Sequence, residues 1–109
     1  MNAIIEKLPA LVEEELEAAN TLHTVFHSPH EGWAVLKEEV EEARDEMLDV
    51  QCRLSRLWEA IKDDSEADAQ SAARCIEWRA IRLAAEAIQV AAMARKFQAI
   101  DPKEWSANV

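Results

Sequence analysis

Glu38, Glu39, Glu42, Glu46 and Asp49 crowd into twelve residues, mostly three or four apart. On a helix such residues are surface neighbours, so these acids share one flank. Carboxylates held this way repel one another unless water, basic side chains or a divalent cation offsets their charge. A solvated acidic face is the plainer reading, and such faces are common. Far along the chain another carboxylate has a different setting. Glu86 lies amid Ala84, Ala85, Ala87, Ile88, Val90, Ala91, Ala92 and Met93, the only acid between Glu77 and Asp101. A carboxylate in so apolar a run is costly unless it is paired, protonated or metal-bound. Gln89 follows three residues on with an amide oxygen, and Arg79, Arg82 and Lys96 fall at compatible helical spacing. Two readings stand. Glu86 pairs with Arg82 while Gln89 is satisfied by backbone, or these oxygens converge with the earlier acids on a divalent cation.

The elements that position these residues are helices. One apolar stripe runs through Leu8, Leu11, Val12, Leu16, Ala19, Leu22 and Phe26, predicting a helix from about Pro9 to Phe26 with Pro9 in its first turn. Ser28-Pro29-His30-Glu31 reads as an N-cap, a Pro at the first helical position and an acid three residues after the cap. It opens a second helix reaching about Ile61, with Trp33, Leu36, Val40, Ala43, Met47, Val50, Leu54 and Leu57 on its apolar face. Lys62 to Ala69 is polar and serves as the connection, where Ser65 or Asp68 can cap a third helix. That helix runs to about Ala99, with a break possible near its start, and Asp101-Pro102 ends it. The tail from Lys103 frays unless Trp105 docks. No strand-like alternation occurs, so the fold class is all-α, a single domain over residues 1–109. Three helices with wide apolar faces exceed what a short chain can bury. A bundle completed by oligomerisation is the simplest remedy, a tetramer ahead of a dimer.

The motifs carry a family resemblance. Glu38-Glu39-x-x-Glu42 resembles the EExxE of the MazG-type, all-α nucleoside triphosphate pyrophosphohydrolases, in which ExxD follows some tens of residues later on a second helix. Here the second motif is Glu86-Ala87-Ile88-Gln89, with Gln in place of Asp. The surrounding FHSPHEGWAVLKEEVEEARDEM and EAIQVAAMARKF are similar to the small phage-type branch, where ExxQ is familiar, and the similarity spans about residues 20–100. The resemblance implies a MazG-like helical bundle that binds Mg²⁺, with Mn²⁺ able to substitute. It implies attack at the α-phosphate of a (deoxy)nucleoside triphosphate, with a lean to purine deoxynucleotides, releasing the monophosphate and pyrophosphate. It places catalysis at Glu38, Glu39 and Glu42 and metal ligation at Glu39, Glu42, Glu86 and Gln89. The neutral Gln89 leaves the number and geometry of metal ions open. Substrate contacts are expected from Lys96 or Arg82 at the terminal phosphates, each neutralising one charge. Asn20 and Trp33 are candidates for reading or stacking on the base, against the plainer expectations of a solvent-facing Asn and a core Trp.

Composition bounds the alternatives. The formal net charge is −10, which disfavours nonspecific binding to a nucleic acid backbone. A single glycine, Gly32, excludes a Gly-rich phosphate loop, and no Ser nucleophile with a His partner is evident. No run of about 18 apolar residues exists to span a membrane. The start Met1–Glu6 lacks a secretory pattern, so Cys52 and Cys75 are expected as reduced, partly buried thiols in the cytoplasm, the host's if the chain is phage-encoded. His23, His27 and His30 could form a zinc site, but helix-end or surface roles suit them better. Trp33, Trp58, Trp78 and Trp105 are expected mostly as core or interface anchors. The competing functional class is a non-catalytic acidic helical protein, such as a DNA mimic or an interaction adaptor. It would spread its acids over exposed surface, whereas the enzyme would gather them on an inward seam.

Overall fold

The computed structural model describes residues 2–22 and 25–106. Four helices follow one another: α1 (Asn2–Asn20), α2 (Pro29–Lys62), α3 (Glu66–Gln98) and the short α4 (Pro102–Ser106). Among the described residues there is no strand, so the chain is all-α as expected. No helix among them is long and apolar enough to cross a membrane.

The best sequence signal holds at the start of α2. The Glu31 amide donates to Ser28 Oγ at 3.1 Å, and the Glu31 carboxylate reaches back to the His27 amide at 3.4 Å. These contacts satisfy donors that a helix start otherwise leaves without partners. The limits of α1 differ from expectation. Pro9 lies inside the helix. It forfeits one backbone hydrogen bond, while Ala3, Glu6, Lys7 and Leu8 before it favour the helix and carry the turn onward. α1 stops at Asn20, short of Phe26. There the Thr21 hydroxyl donates to the Ala18 carbonyl at 2.7 Å, and the Leu22 amide tightens onto Ala19 at 3.2 Å.

The chain forms two compact units. The first comprises Met1–Val40 and Ala87–Val109. Its buried apolar residues are Val12, Phe26, Ala92 and Ile100, joined by the buried Lys96. Lys96 Nζ lies 4.8 Å from the centre of the Phe26 ring, a cation–π contact. Gly32 makes this packing possible: a Cβ there would sit 2.6 Å from Phe97 and 3.1 Å from Phe26. Asp101 caps α4, its Oδ1 accepting from the Lys103 amide at 2.9 Å. Trp105 then meets Phe97 edge-on, with ring centres 6.0 Å apart. The tail through Ser106 is therefore a docked turn of helix.

The second unit, Glu41–Glu86, is a helical hairpin. Its turn is tighter than the polar composition suggests, because α2 and α3 are separated only by Asp63, Asp64 and Ser65. The Ser65 amide bonds to the Ala60 carbonyl at 2.9 Å and the Asp64 amide to Ile61 at 3.1 Å, with Asp64 at φ 52°. This is the Schellman arrangement, with Asp where Gly is usual. Ser65 also starts α3, accepting the Asp68 amide at 3.4 Å, and α3 runs unbroken. The less exposed residues of α2 in this unit include Ala43, Glu46, Val50, Arg53, Leu57 and Ala60; those of α3 include Ala69, Ala72, Ile76, Arg79, Leu83 and Glu86. Both stripes step by three and four, the spacing of helices that meet along a seam. Charged residues thus occupy positions that packing alone would fill with apolar ones.

Large apolar residues remain outside. All four Trp are more than half exposed in the single chain, so none is a core anchor.

Candidate metal centre

The hairpin brings α2 and α3 together in layers. Because the helices are antiparallel, a step of three or four residues backward along α2 matches a step forward along α3. Asp49 meets Arg79 at 2.9 Å. One turn on, Glu46 accepts from Arg82 Nε at 3.0 Å, and Arg79 Nη1 lies 3.8 Å from the same carboxylate. The next layer pairs Glu42 with Glu86, acid against acid. Glu39 lies three residues before Glu42 on the same continuous helix. Glu39, Glu42 and Glu86 each present a carboxylate oxygen, all within 4.8 Å of one another. Among the described residues this is the only such group of three His, Cys, Asp or Glu side chains.

The environment of Glu86 is strained by charge. Its Oε2 is buried and has no hydrogen-bond partner among the described residues. Burial, first, raises the Glu86 pKa above 4.5; the Glu42 charge, a carboxyl–carboxyl hydrogen bond with Glu42 and the Glu46 charge raise it further, while Arg82 pulls it down. A like charge this close disfavours the ionised form of Glu86. Arg82, weighed from the sequence as the partner of Glu86, directs its Nε to Glu46, and its charge still favours the ionised form of Glu86.

A hard divalent cation suits this set. Mg²⁺ prefers oxygen ligands, and opposite ligands across its sphere are roughly 4.2 Å apart. The span of 4.8 Å is close to that, so little closure is needed. The buried Oε2 of Glu86 supplies an acceptor in want of a cation.

The remaining sequence candidates are distributed as follows. Glu38 is exposed on α2, and Gln89 is half-buried on α3, three residues beyond Glu86. The Arg82 side chain is 49% exposed. Lys96 is buried against Phe26, its charge facing a ring. Asn20 ends α1 with a buried Oδ1 that has no hydrogen-bond partner among the described residues, so it does not face solvent freely. Trp33 is exposed rather than in the core. His27 and His30 are exposed, and His23 lies outside the described residues. Cys52 is exposed and Cys75 half-buried; both thiols are free and line a hairpin cavity of about 510 Å³. Sequence reasoning missed the partners of Glu46 and Asp49. The signal was available in the register, since both ion pairs are equidistant from the turn to within a residue.

No protein-family model, no characterised protein and no solved structure matches this chain.

Proposed function

We propose that this chain is a metal-dependent nucleoside triphosphate pyrophosphohydrolase of the MazG type. It cleaves a (deoxy)nucleoside triphosphate, preferably a purine deoxynucleotide, to the monophosphate and pyrophosphate. It does so in the cytoplasm as a homo-oligomer, a tetramer ahead of a dimer. The observation that carries this reading is the convergence of Glu39, Glu42 and Glu86 from two helices onto one small volume. The resemblance of EExxE and ExxQ supplies the reaction.

Glu39, Glu42 and Glu86 would hold the cation, and Gln89 would offer a neutral oxygen beside them. Bound Mg²⁺, or Mn²⁺ in its place, supplies charge neutralisation for the substrate phosphates and acidifies a bound water. Glu38, exposed one turn before Glu42, is the group placed to accept a proton from the attacking water. Arg82, one turn before Glu86 and half exposed, is better placed than the buried Lys96 to steady the terminal phosphates. The reading as a non-catalytic acidic protein loses force at Glu46 and Asp49, because arginines take up their charge.

A panel of ribo- and deoxynucleoside triphosphates with Mg²⁺ or Mn²⁺, assayed for monophosphate and pyrophosphate, tests the reading. At least one substrate should give both products in equal amounts, and none should with EDTA. A full panel without monophosphate under either metal would overturn it.

A further inference from the structure

Trp33, Val40, Met47, Leu54 and Ile61 recur on α2 at intervals of seven, and each is between 43% and 62% exposed. A seven-residue recurrence keeps side chains on one stripe of a helix, the pattern of a surface that meets another helix lengthwise. The stripe lies to one side of the carboxylates: at about 100° per residue, Met47 is turned roughly 140° from Glu42 and roughly 80° from Glu39. Covering it would leave the acidic flank open.

The order of residues along this stripe says what covers it. Reversed about Met47, the stripe maps onto itself: Trp33 falls opposite Ile61, Val40 opposite Leu54, and Met47 opposite Met47. Large apolar residues therefore meet at every level if a second α2 lies antiparallel. The charges select the same direction. Before Met47, α2 carries seven acids and two bases, Lys37 and Arg44; after it, two acids, Asp49 and Glu59, and three bases, Arg53, Arg56 and Lys62. A parallel, in-register pair would set the acidic halves together, with Lys37 against Lys37 and Arg44 against Arg44. The antiparallel pair sets the acidic half of each helix against the basic half of the other, and brings Lys37 and Arg44 to the levels of Leu57 and Val50.

The geometry points to a second copy of this chain as the occupant, docked through an isologous α2–α2 interface with its two-fold axis at Met47. The inference rests on the assembly proposed above and not on the hydrolytic chemistry. It assigns Trp33 to an interface rather than to a nucleotide base. It also explains why so many large apolar residues lie outside the chain's own core. A self-complementary patch of this kind closes after one rotation, so it yields a discrete dimer that larger assemblies can build on.

Cysteine cross-linking with mild oxidation tests it, in the full chain with Cys52→Ser and Cys75→Ser as background. A residue on the two-fold axis meets its own copy. Met47→Cys alone should therefore form a covalent dimer quickly, while Val40→Cys and Leu54→Cys should not do so singly. Mixed Val40→Cys and Leu54→Cys chains should cross-link to each other. Met47→Arg, checked for helicity by circular dichroism, should at least halve the particle mass seen by light scattering. Cross-links at all three single positions would show a parallel pair and overturn the interface. An oligomer with no cross-link at Met47 would overturn it too, while leaving assembly intact. A wild-type particle of 12.3 kDa at micromolar concentration would overturn both. Pyrophosphate release from the same samples is scored separately, so failure of the interface and failure of the chemistry remain distinct.

Discussion

The Glu42–Glu86 layer of the hairpin and the two layers beside it use the same residue types and are differently balanced. At Asp49 and Glu46, acids of α2 meet Arg79 and Arg82 of α3 at 2.9 and 3.0 Å. One turn further, the α3 residue is Glu86, and the pairing becomes acid against acid, with its pKa raised by burial and by Glu42. Ion pairs balance the charge of the first two layers, although Glu46 Oε2 and Asp49 Oδ2, like Glu86 Oε2, lack hydrogen bonds among the described residues. The third is left in want of positive charge, which is the condition a divalent cation relieves. A seam of charged residues is therefore not one feature: its function changes where the basic partner stops.

The sharpest way to break the comparison is to neutralise the acid layer. Glu39→Gln, Glu42→Gln and Glu86→Gln should each lower turnover by at least about a hundredfold, since even outer partners of a metal site cost 10- to 100-fold. Glu14→Gln on α1 should leave it unchanged. Steady-state assays with saturating Mg²⁺ and checked folding decide this. Full activity in well-folded Glu86→Gln would remove that residue from the mechanism.

Next in size is the compensated side. Arg79→Met removes the shorter of the two arginine contacts of Asp49, leaving Arg53 at 3.6 Å, and leaves Glu46 with Arg82 alone. It should destabilise the chain by about 1–2 kcal/mol, less than a deeply buried pair because these side chains are partly exposed. Urea unfolding at neutral pH measures it. A loss below about 0.3 kcal/mol would mean the pair is no more than a surface contact.

How far these layers were legible in the sequence differs from helix to helix. The capping motif at Ser28 placed α2 correctly, because Ser28 Oγ and the Glu31 carboxylate each accept a backbone amide at the helix start. Pro9 misled at α1, because one missing backbone donor does not stop a helix whose other residues favour it. Type and spacing nominated Glu86 and an acidic flank of five residues on α2, the MazG resemblance singled out Glu38, Glu39 and Glu42, and Glu39, Glu42 and Glu86 do converge. The partners of Glu46 and Asp49 were not anticipated, since they depend on a turn of three residues that reads as a longer polar connection. The exposure of all four Trp was equally hidden, because an apolar stripe does not say whether its cover lies in the same chain.

A smaller effect sharpens the comparison through pH. With Glu86 raised above 4.5 in the folded chain, the folded state binds more protons than the unfolded state between the two values. Stability without metal should therefore fall as pH rises from about 4.5 through the raised pKa, and level off above it. Mg²⁺ should offset that fall, and Glu86→Gln should flatten it. Melting temperatures across pH in EDTA and in Mg²⁺ provide the check. Wild type and Glu86→Gln with parallel profiles would show that the layer carries no such strain.

The smallest expected effect is at the turn, remote from both layers. Asp64→Gly relieves a left-handed backbone at φ 52° and should stabilise the hairpin by about 0.5 kcal/mol, with turnover unchanged. Thermal unfolding alongside an activity assay reads both. A loss of activity would tie the turn to the site.

The central claim is that the acid layer holds a divalent cation. Titration of Mn²⁺, followed by the loss of its free-ion paramagnetic resonance signal, tests this on the protein alone. Wild type should take up the ion in a fixed ratio per chain, with binding lost in Glu86→Gln, retained in Glu14→Gln, and competed away by Mg²⁺. Uptake in Glu86→Gln equal to that of wild type would contradict the account.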